Sequence, residues 1–93
     1  MKDQTERVTH YETIFDELSA ALRRVDEAVE ALQTLRPLVG ALDAYYTGEA
    51  WKADFAADEA GLLPPTLKRG VLSEDGVNDL LDGIRAVYDF AER

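Results

Sequence analysis

The sequence contains no cysteine, and that absence excludes several classes of protein. Without thiols the chain can form no disulfide framework and can use no thiolate nucleophile. It also has a single histidine, His10, which leaves too few nitrogen ligands for a zinc site of the usual kind. We therefore expect neither a bound metal nor a cofactor.

Long apolar runs are also missing. No stretch approaches the ~20 apolar residues that a helix needs to span a bilayer. Residues 1–6 lack the apolar core of a signal peptide. The sequence therefore predicts a cytoplasmic protein that does not enter a membrane.

Basic residues are scarce: 10 lysines and arginines stand against 19 acidic residues, for a formal net charge of -9. Binding to a nucleic-acid backbone needs clustered basic side chains, so we expect no nucleic-acid binding. The acidic charge is explained most simply as a means of keeping a small protein soluble. A basic partner, and mimicry of nucleic acid at another protein's site, are the alternatives.

A long amphipathic helix is predicted near the N-terminus, because apolar residues recur there at alternating intervals of four and three. The resulting heptad stripe occupies positions a, d and g, and His10 falls on the opposite, solvent face. A stripe of this width favours a helix in contact with two neighbours. Its members are Val8, Tyr11, Phe15, Leu18, Leu22, Val25, Val29 and Leu32 at a and d, with Ile14, Ala21, Ala28 and Leu35 at g.

Further helices are indicated by their boundary residues. Pro37 is expected to end or kink the first helix. Thr47 is expected to cap a third helix that Gly61 closes, and Ser73 to cap the last one. Between Gly61 and Ser73 the chain is too apolar for a free linker, so we expect this segment, with its four leucines and Val71, to pack against the rest of the protein.

The fold class predicted from these elements is all-α. We expect one helical domain over residues 1–93: a small antiparallel bundle with a long N-terminal helix, two short middle helices, an ordered Pro-containing loop and a C-terminal helix. The first and last helices are expected to pack antiparallel. Because the last helix is shorter, part of the first must contact the middle segment or another molecule, which is an argument for a homodimer.

Candidate functional residues concentrate between Tyr45 and Asp75. The aromatic residues there are expected to form core, with one of the adjacent tyrosines exposed as a partner contact. The two aspartates are expected to pair with the basic residues of the loop; the alternative is a divalent-metal or catalytic site beside Arg69. The candidates for interaction or for a structural network are Tyr45, Tyr46, Trp51, Asp54, Asp58, Lys68 and Arg69.

The segment from Tyr45 to Leu81 resembles a small bacterial family known as domain of unknown function 4298, and the resemblance covers most of the chain. The resemblance rests on Tyr45-Tyr46 followed by Trp51, on Leu63-Pro64, and on the string from Leu67 to Asp75, Leu-Lys-Arg-Gly-Val-Leu-Ser-Glu-Asp. Arg7-Val8 and Tyr11-Glu12 are also similar. The resemblance implies boundaries for the fold and carries no activity with it.

The function that we expect is therefore non-enzymatic. The protein would be an interaction or adaptor module that binds an unknown protein partner through the loop and the aromatic end. A small enzyme or metal-binding protein using Asp54 and Asp58 near Arg69 is the first alternative, and an acidic nucleic-acid mimic or inhibitor is the second.

Overall fold

The chain is built from helices. The computed structural model describes residues 2–93, with side chains from residue 3 onward. Within that range no strand occurs, and the predicted all-α class is confirmed. No helix there has the length and apolarity to cross a membrane. The elements are α1 (Lys2–Thr34), α2 (Arg36–Tyr46), α3 (Glu49–Glu59), a 3₁₀ turn (Gly70–Leu72) and α4 (Glu74–Ala91).

Three of the four boundary predictions are confirmed. Pro37 lies in the first turn of α2, where its missing N–H costs nothing, and α1 ends just before it. Gly61 takes a positive φ of 72° after α3, a conformation that glycine adopts without strain. The Ser73 hydroxyl accepts a hydrogen bond from the Gly76 amide at 3.1 Å and so caps α4.

The fourth boundary prediction, that Thr47 caps α3, is wrong. Gly48 occupies the cap position of α3 in an extended conformation. The Thr47 hydroxyl instead donates to the Asp43 carbonyl at 2.8 Å, one turn back in α2. A threonine at the end of one helix can satisfy that helix's last carbonyls, and here this local bond is the one that forms.

Contacts divide the chain into two compact units, the first ending at Ala31 and the second comprising Leu32–Arg93. The first unit is a single helix, the N-terminal part of α1. The predicted antiparallel packing of the first and last helices stays a prediction, as does the single domain over residues 1–93. Met1, which that range includes, lies outside the described residues.

The second unit has a small apolar core. Leu81 is its most deeply buried side chain, at 2 % exposure, and Val77 and Tyr88 lie on the same face of α4. Their spacing of four and seven residues is that of a helix with one buried stripe. Trp51 of α3 and Leu72 of the 3₁₀ turn complete the buried set. Helix α4 packs against the 3₁₀ turn and α2, and α3 packs against α2 and the turn.

The C-terminal end of α4 is fastened to the start of the second unit. The Tyr88 hydroxyl donates to the Leu32 carbonyl. The Arg36 guanidinium lies 4.0 Å from the centre of the Tyr88 ring, within cation–π distance, and forms an ion pair with Glu92. The two hydrogen bonds join residues that are 56 positions apart, so they hold the C-terminal end of α4 against the start of the unit.

The segment between α3 and α4 packs down only in part. Leu72 is buried and Leu63 is half-buried, as expected, but Leu62, Leu67 and Val71 are exposed, so for those three residues the prediction is wrong. Backbone hydrogen bonds shape the segment instead: the Leu67 amide donates to the Pro64 carbonyl at 3.1 Å, and the Leu72 amide to the Arg69 carbonyl at 3.0 Å. Such turns order the chain without burying each side chain.

Candidate functional site

Trp51 is the centre of an aromatic cluster in the second unit. Its ring stacks on Phe55, one turn along α3, with centroids 5.0 Å apart and an interplanar angle of 20°. Tyr46 meets the indole edge-on, also at 5.0 Å. The indole N–H donates to the Val71 carbonyl at 2.9 Å, which ties α3 to the 3₁₀ turn. Trp51 is buried, so the prediction that it serves as core is confirmed.

Arg69 forms a second link between α3 and the loop. One guanidinium nitrogen donates to Asp58 at 3.0 Å and the other donates to the Pro64 carbonyl at 2.9 Å. The planar fork of arginine suits this double engagement. The side chains of Arg69 and Asp58 are 35 % and 24 % exposed, so the pair is partly screened by solvent. The predicted pairing of the loop with Asp58 is confirmed.

Asp54 does not share in that pairing. It accepts a hydrogen bond from the Tyr45 hydroxyl at 2.6 Å, which joins α2 to α3. The bond to this carboxylate stabilises the protonated phenol and raises the pKa of Tyr45, and burial and the negative charge of Asp54 act in the same direction. Lys68, the other basic residue of the loop, is exposed and makes no ion pair in the part of the chain that the structure describes.

The two aspartates are therefore held by different partners. Asp58 faces Arg69 and Asp54 faces Tyr45. Within residues 3–93, no three acidic or histidine side chains gather in the arrangement of a metal site. Three separate links join α2, α3 and the segment that follows α3, and together we call them the structural network: Tyr45 with Asp54, Tyr46 with Trp51 and Val71, and Arg69 with Asp58. Both adjacent tyrosines are half-buried, so the prediction that one of them is exposed is wrong. The role of these residues as partner contacts stays a prediction.

A shallow apolar groove lies beside this network. It has a volume of about 220 Å³ and runs between α2, the 3₁₀ turn and α4. Leu80, 52 % exposed, and Val71, 39 % exposed, offer apolar surface along it. At Gly70 an added Cβ would meet no atom within 4 Å, so the glycine leaves open space there. The lining residues are Leu42, Gly70, Val71, Gly76, Val77 and Leu80.

The surroundings of the groove are acidic. Tyr46 is one helical turn beyond Leu42 on α2, and its hydroxyl is 3.4 Å from the Glu74 carbonyl. Burial raises the pKa of Tyr46, and the negative charges of Glu74, Asp75 and Asp82 raise it further. Glu74 and Asp75 directly precede Gly76 of the groove lining, so negative charge lies beside the apolar surface, whereas Asp82 is paired with Arg85 at 3.3 Å.

Sequence reasoning missed the groove because its lining comes from three separate segments. Only one local signal pointed to it: Leu42 and Tyr46 are four apart and therefore share a face of α2. The exposed position of Leu80 within an otherwise regular apolar stripe of α4 could not be read from spacing alone. It depends on which part of that stripe the 3₁₀ turn covers.

The first unit carries a different exposed surface. Along α1, seven large apolar side chains of the heptad stripe are between 39 % and 66 % exposed. A lone helix has no neighbour within its own unit against which to bury such a stripe. The side chains are Val8, Tyr11, Ile14, Phe15, Leu18, Leu22 and Val25.

Comparisons with known proteins give one family. Neither the curated proteins nor the solved structures compared with the chain include a significant match. A family model described as "Domain of unknown function (DUF4298)" matches residues 8–89. This range begins at the first residue of the heptad stripe and includes the aromatic cluster, the Arg69 link and the groove. The chain belongs to the DUF4298 family.

Proposed function

We propose that the protein is a non-enzymatic interaction module that binds another protein through the groove of its second unit. The observation that carries the proposal is the exposed apolar lining of Leu80 and Val71 beside the aromatic cluster. Aromatic and apolar side chains next to a concave surface are the usual anchors of protein recognition. The module works in the cytoplasm, which a chain without cysteine suits.

The size of the groove supports a protein partner over a small substrate. Pockets for small molecules are typically ~300–1,000 Å³ and enclose most of the ligand. At about 220 Å³ this groove is smaller than such pockets, and it suits a few apolar side chains projecting from a partner. An amphipathic helix that lays its apolar face into a groove presents side chains in this way.

The charge around the groove indicates the chemistry of that partner. Glu74 and Asp75 directly precede Gly76, which lines the groove. The chain as a whole carries a formal net charge of -9. Complementary charge speeds encounter and suppresses wrong partners. The proposed partner is therefore a basic amphipathic helix, with apolar residues on the face that enters the groove.

The hydrogen bonds that Asp54 and Asp58 accept favour the non-enzymatic role. Asp58 pairs with Arg69, and Asp54 accepts a hydrogen bond from the Tyr45 hydroxyl. A general acid or base in a cleft needs to reach substrate, whereas these two side chains serve to join elements of the fold. One oxygen of each carboxylate is engaged in this way, by Arg69 at Asp58 and by Tyr45 at Asp54.

Affinity capture from an extract of the host tests the proposal with two matched variants. Leu80→Ala removes a wall of the groove, and because Leu80 is half exposed the substitution leaves the core intact. Phe90→Ala removes an apolar side chain of the same helix that is 71 % exposed and does not line the groove. Wild type and Phe90→Ala should capture the same protein, and Leu80→Ala should lose it.

Titration of the purified partner then measures the effect. Truncation of a hot-spot residue costs upward of ~2 kcal/mol, so we expect Leu80→Ala to weaken binding by about 30-fold, and Phe90→Ala to leave it unchanged. Raised salt should weaken binding to wild type, since exposed charges are screened. Capture of no protein, or equal binding by Leu80→Ala and wild type, would contradict the proposal.

A further inference from the structure

We infer that the exposed stripe of α1 binds a second copy of this chain, with the two helices antiparallel. The inference goes beyond the proposed function, because it concerns the first unit and makes no use of the groove. Its basis is the heptad stripe, which keeps its register without interruption from Val8 to Val29. Sustained heptads are typical of helices that pair with other helices.

The heptad positions of α1 allow two antiparallel copies to pack through the same stripe. When two copies run antiparallel and are centred on residue 20, each a position lies level with a d position of the other copy. Leu18 then lies level with Leu22, Phe15 with Val25, and Tyr11 with Val29. No polar residue enters these layers. The same surface can therefore serve both copies, as an interface with twofold symmetry requires.

The residues beside the seam favour the antiparallel direction. In a parallel pair each g position lies beside an e position of the other helix. In an antiparallel pair g lies beside g, and e beside e. Here g is apolar, with Ile14, Ala21 and Ala28, whereas e includes Ser19 and Asp26. Only the antiparallel direction keeps the whole apolar stripe in contact with apolar surface. It also opposes the two helix dipoles, which is favourable.

The area of the stripe is sufficient for a stable dimer. An apolar side chain of this size loses about 60–120 Å² of solvent-accessible surface when it is fully buried. At the observed exposures, the seven large side chains offer roughly 400 Å² of apolar surface in each copy. Since homodimer interfaces are ~65 % apolar, the total is about 1,200 Å² for both copies. That value lies at the lower end of the range for specific interfaces.

Sedimentation equilibrium of the full chain tests the stoichiometry. Wild type should show twice the chain mass of 10.3 kDa. Leu18→Glu places a charge in the central layer and should give a monomer, because two charges would be buried without partners. Thr13→Glu adds the same charge at position f, on the outer face, and should remain dimeric. Leu80→Ala, which alters only the groove, should also remain dimeric.

Cross-linking tests the direction, and the absence of cysteine makes single-cysteine variants unambiguous. In the antiparallel dimer Ala21 lies close to its own copy, beside the twofold axis. Two copies of Val8 are then 24 residues apart along the helices, or ~36 Å at 1.5 Å per residue. A short thiol cross-linker should therefore join Ala21→Cys chains in high yield and Val8→Cys chains hardly at all.

Three results would overturn the inference. A monomeric wild type would mean that something other than a second copy covers the stripe. A dimer that survives Leu18→Glu would place the interface elsewhere. Efficient cross-linking through Val8→Cys would show a parallel pair. None of these results bears on the groove, whose test is the loss of a captured partner in Leu80→Ala.

Discussion

Removal of the Arg69 guanidinium is expected to destabilise the second unit measurably. Arg69→Met keeps the aliphatic stem and loses two hydrogen bonds, to Asp58 and to the Pro64 carbonyl. An exposed ion pair contributes ~0.2–1 kcal/mol, and hydrogen bonds to charged groups contribute ~1.5–3 kcal/mol when they are shielded from water. Exposures of 35 % and 24 % lie between those limits. We therefore expect a loss of about 1–2 kcal/mol in the free energy of unfolding.

The single tryptophan provides the assay. Trp51 belongs to the second unit, so its fluorescence during denaturation by urea reports that unit without a contribution from the long helix α1. When the same fluorescence is followed during heating, each kcal/mol of lost stability lowers the melting temperature of a unit of this size by ~4–8 °C. We therefore expect a fall of about 5–15 °C in Arg69→Met. Asp58→Asn should cost less than Arg69→Met, because the bond from Arg69 to Pro64 survives.

The double variant isolates the pair itself. If Arg69 and Asp58 stabilise each other, Arg69→Met should lower the free energy of unfolding less in an Asp58→Asn background than in wild type. We expect the two losses to differ by about 0.5–1 kcal/mol. Additive effects would show that the two side chains do not interact in solution. A wild-type melting temperature in Arg69→Met would refute the larger claim that this link holds the loop against α3.

Three further predictions concern the same unit. Trp51→Phe leaves the Val71 carbonyl without its donor and replaces the indole by a smaller ring. It should lower the free energy of unfolding by about 2–3 kcal/mol, measured by urea denaturation followed by circular dichroism. Ser73→Ala removes the cap of α4 and should cost ~1 kcal/mol by the same measurement. The bond to Asp54 raises the pKa of Tyr45 above its ordinary value of 10.0, so its stabilising effect is complete below pH ~10 and is lost as the pH rises through the raised pKa. Tyr45→Phe should therefore reduce the loss of stability above pH ~10, and an unchanged profile would contradict the role of this bond.

Features that depend on local chemistry could be predicted from the sequence. The all-α class follows from the helical spacing of the apolar residues. Three helix boundaries follow from residues within one turn of one another: the break at Pro37, the glycine turn at Gly61 and the Ser73 cap. The burial of Trp51 could also be predicted, since the tryptophan of a small domain generally anchors its core.

Features that depend on distant contacts could not be predicted. Spacing does not reveal that the Val71 carbonyl, 20 residues along the chain, accepts a hydrogen bond from the Trp51 indole N–H. Nor does it show that Arg36 lies over the Tyr88 ring. Asp54 illustrates the difficulty, because a carboxylate near two basic residues instead pairs with the Tyr45 phenol. Several partners were chemically suitable, and the packing of α2 on α3 decided among them.

The groove exists only if the segment between α3 and α4 is ordered, because the 3₁₀ turn forms one of its sides. Native-state hydrogen exchange, read residue by residue by NMR, tests this requirement directly. The Leu72 and Ser73 amides donate to the Arg69 and Gly70 carbonyls, and the Trp51 indole donates to Val71. All three protons should exchange at rates close to those of the buried amides of α4. Exchange as fast as in an unstructured peptide would contradict the account, since a mobile segment could neither hold the tryptophan nor form the groove.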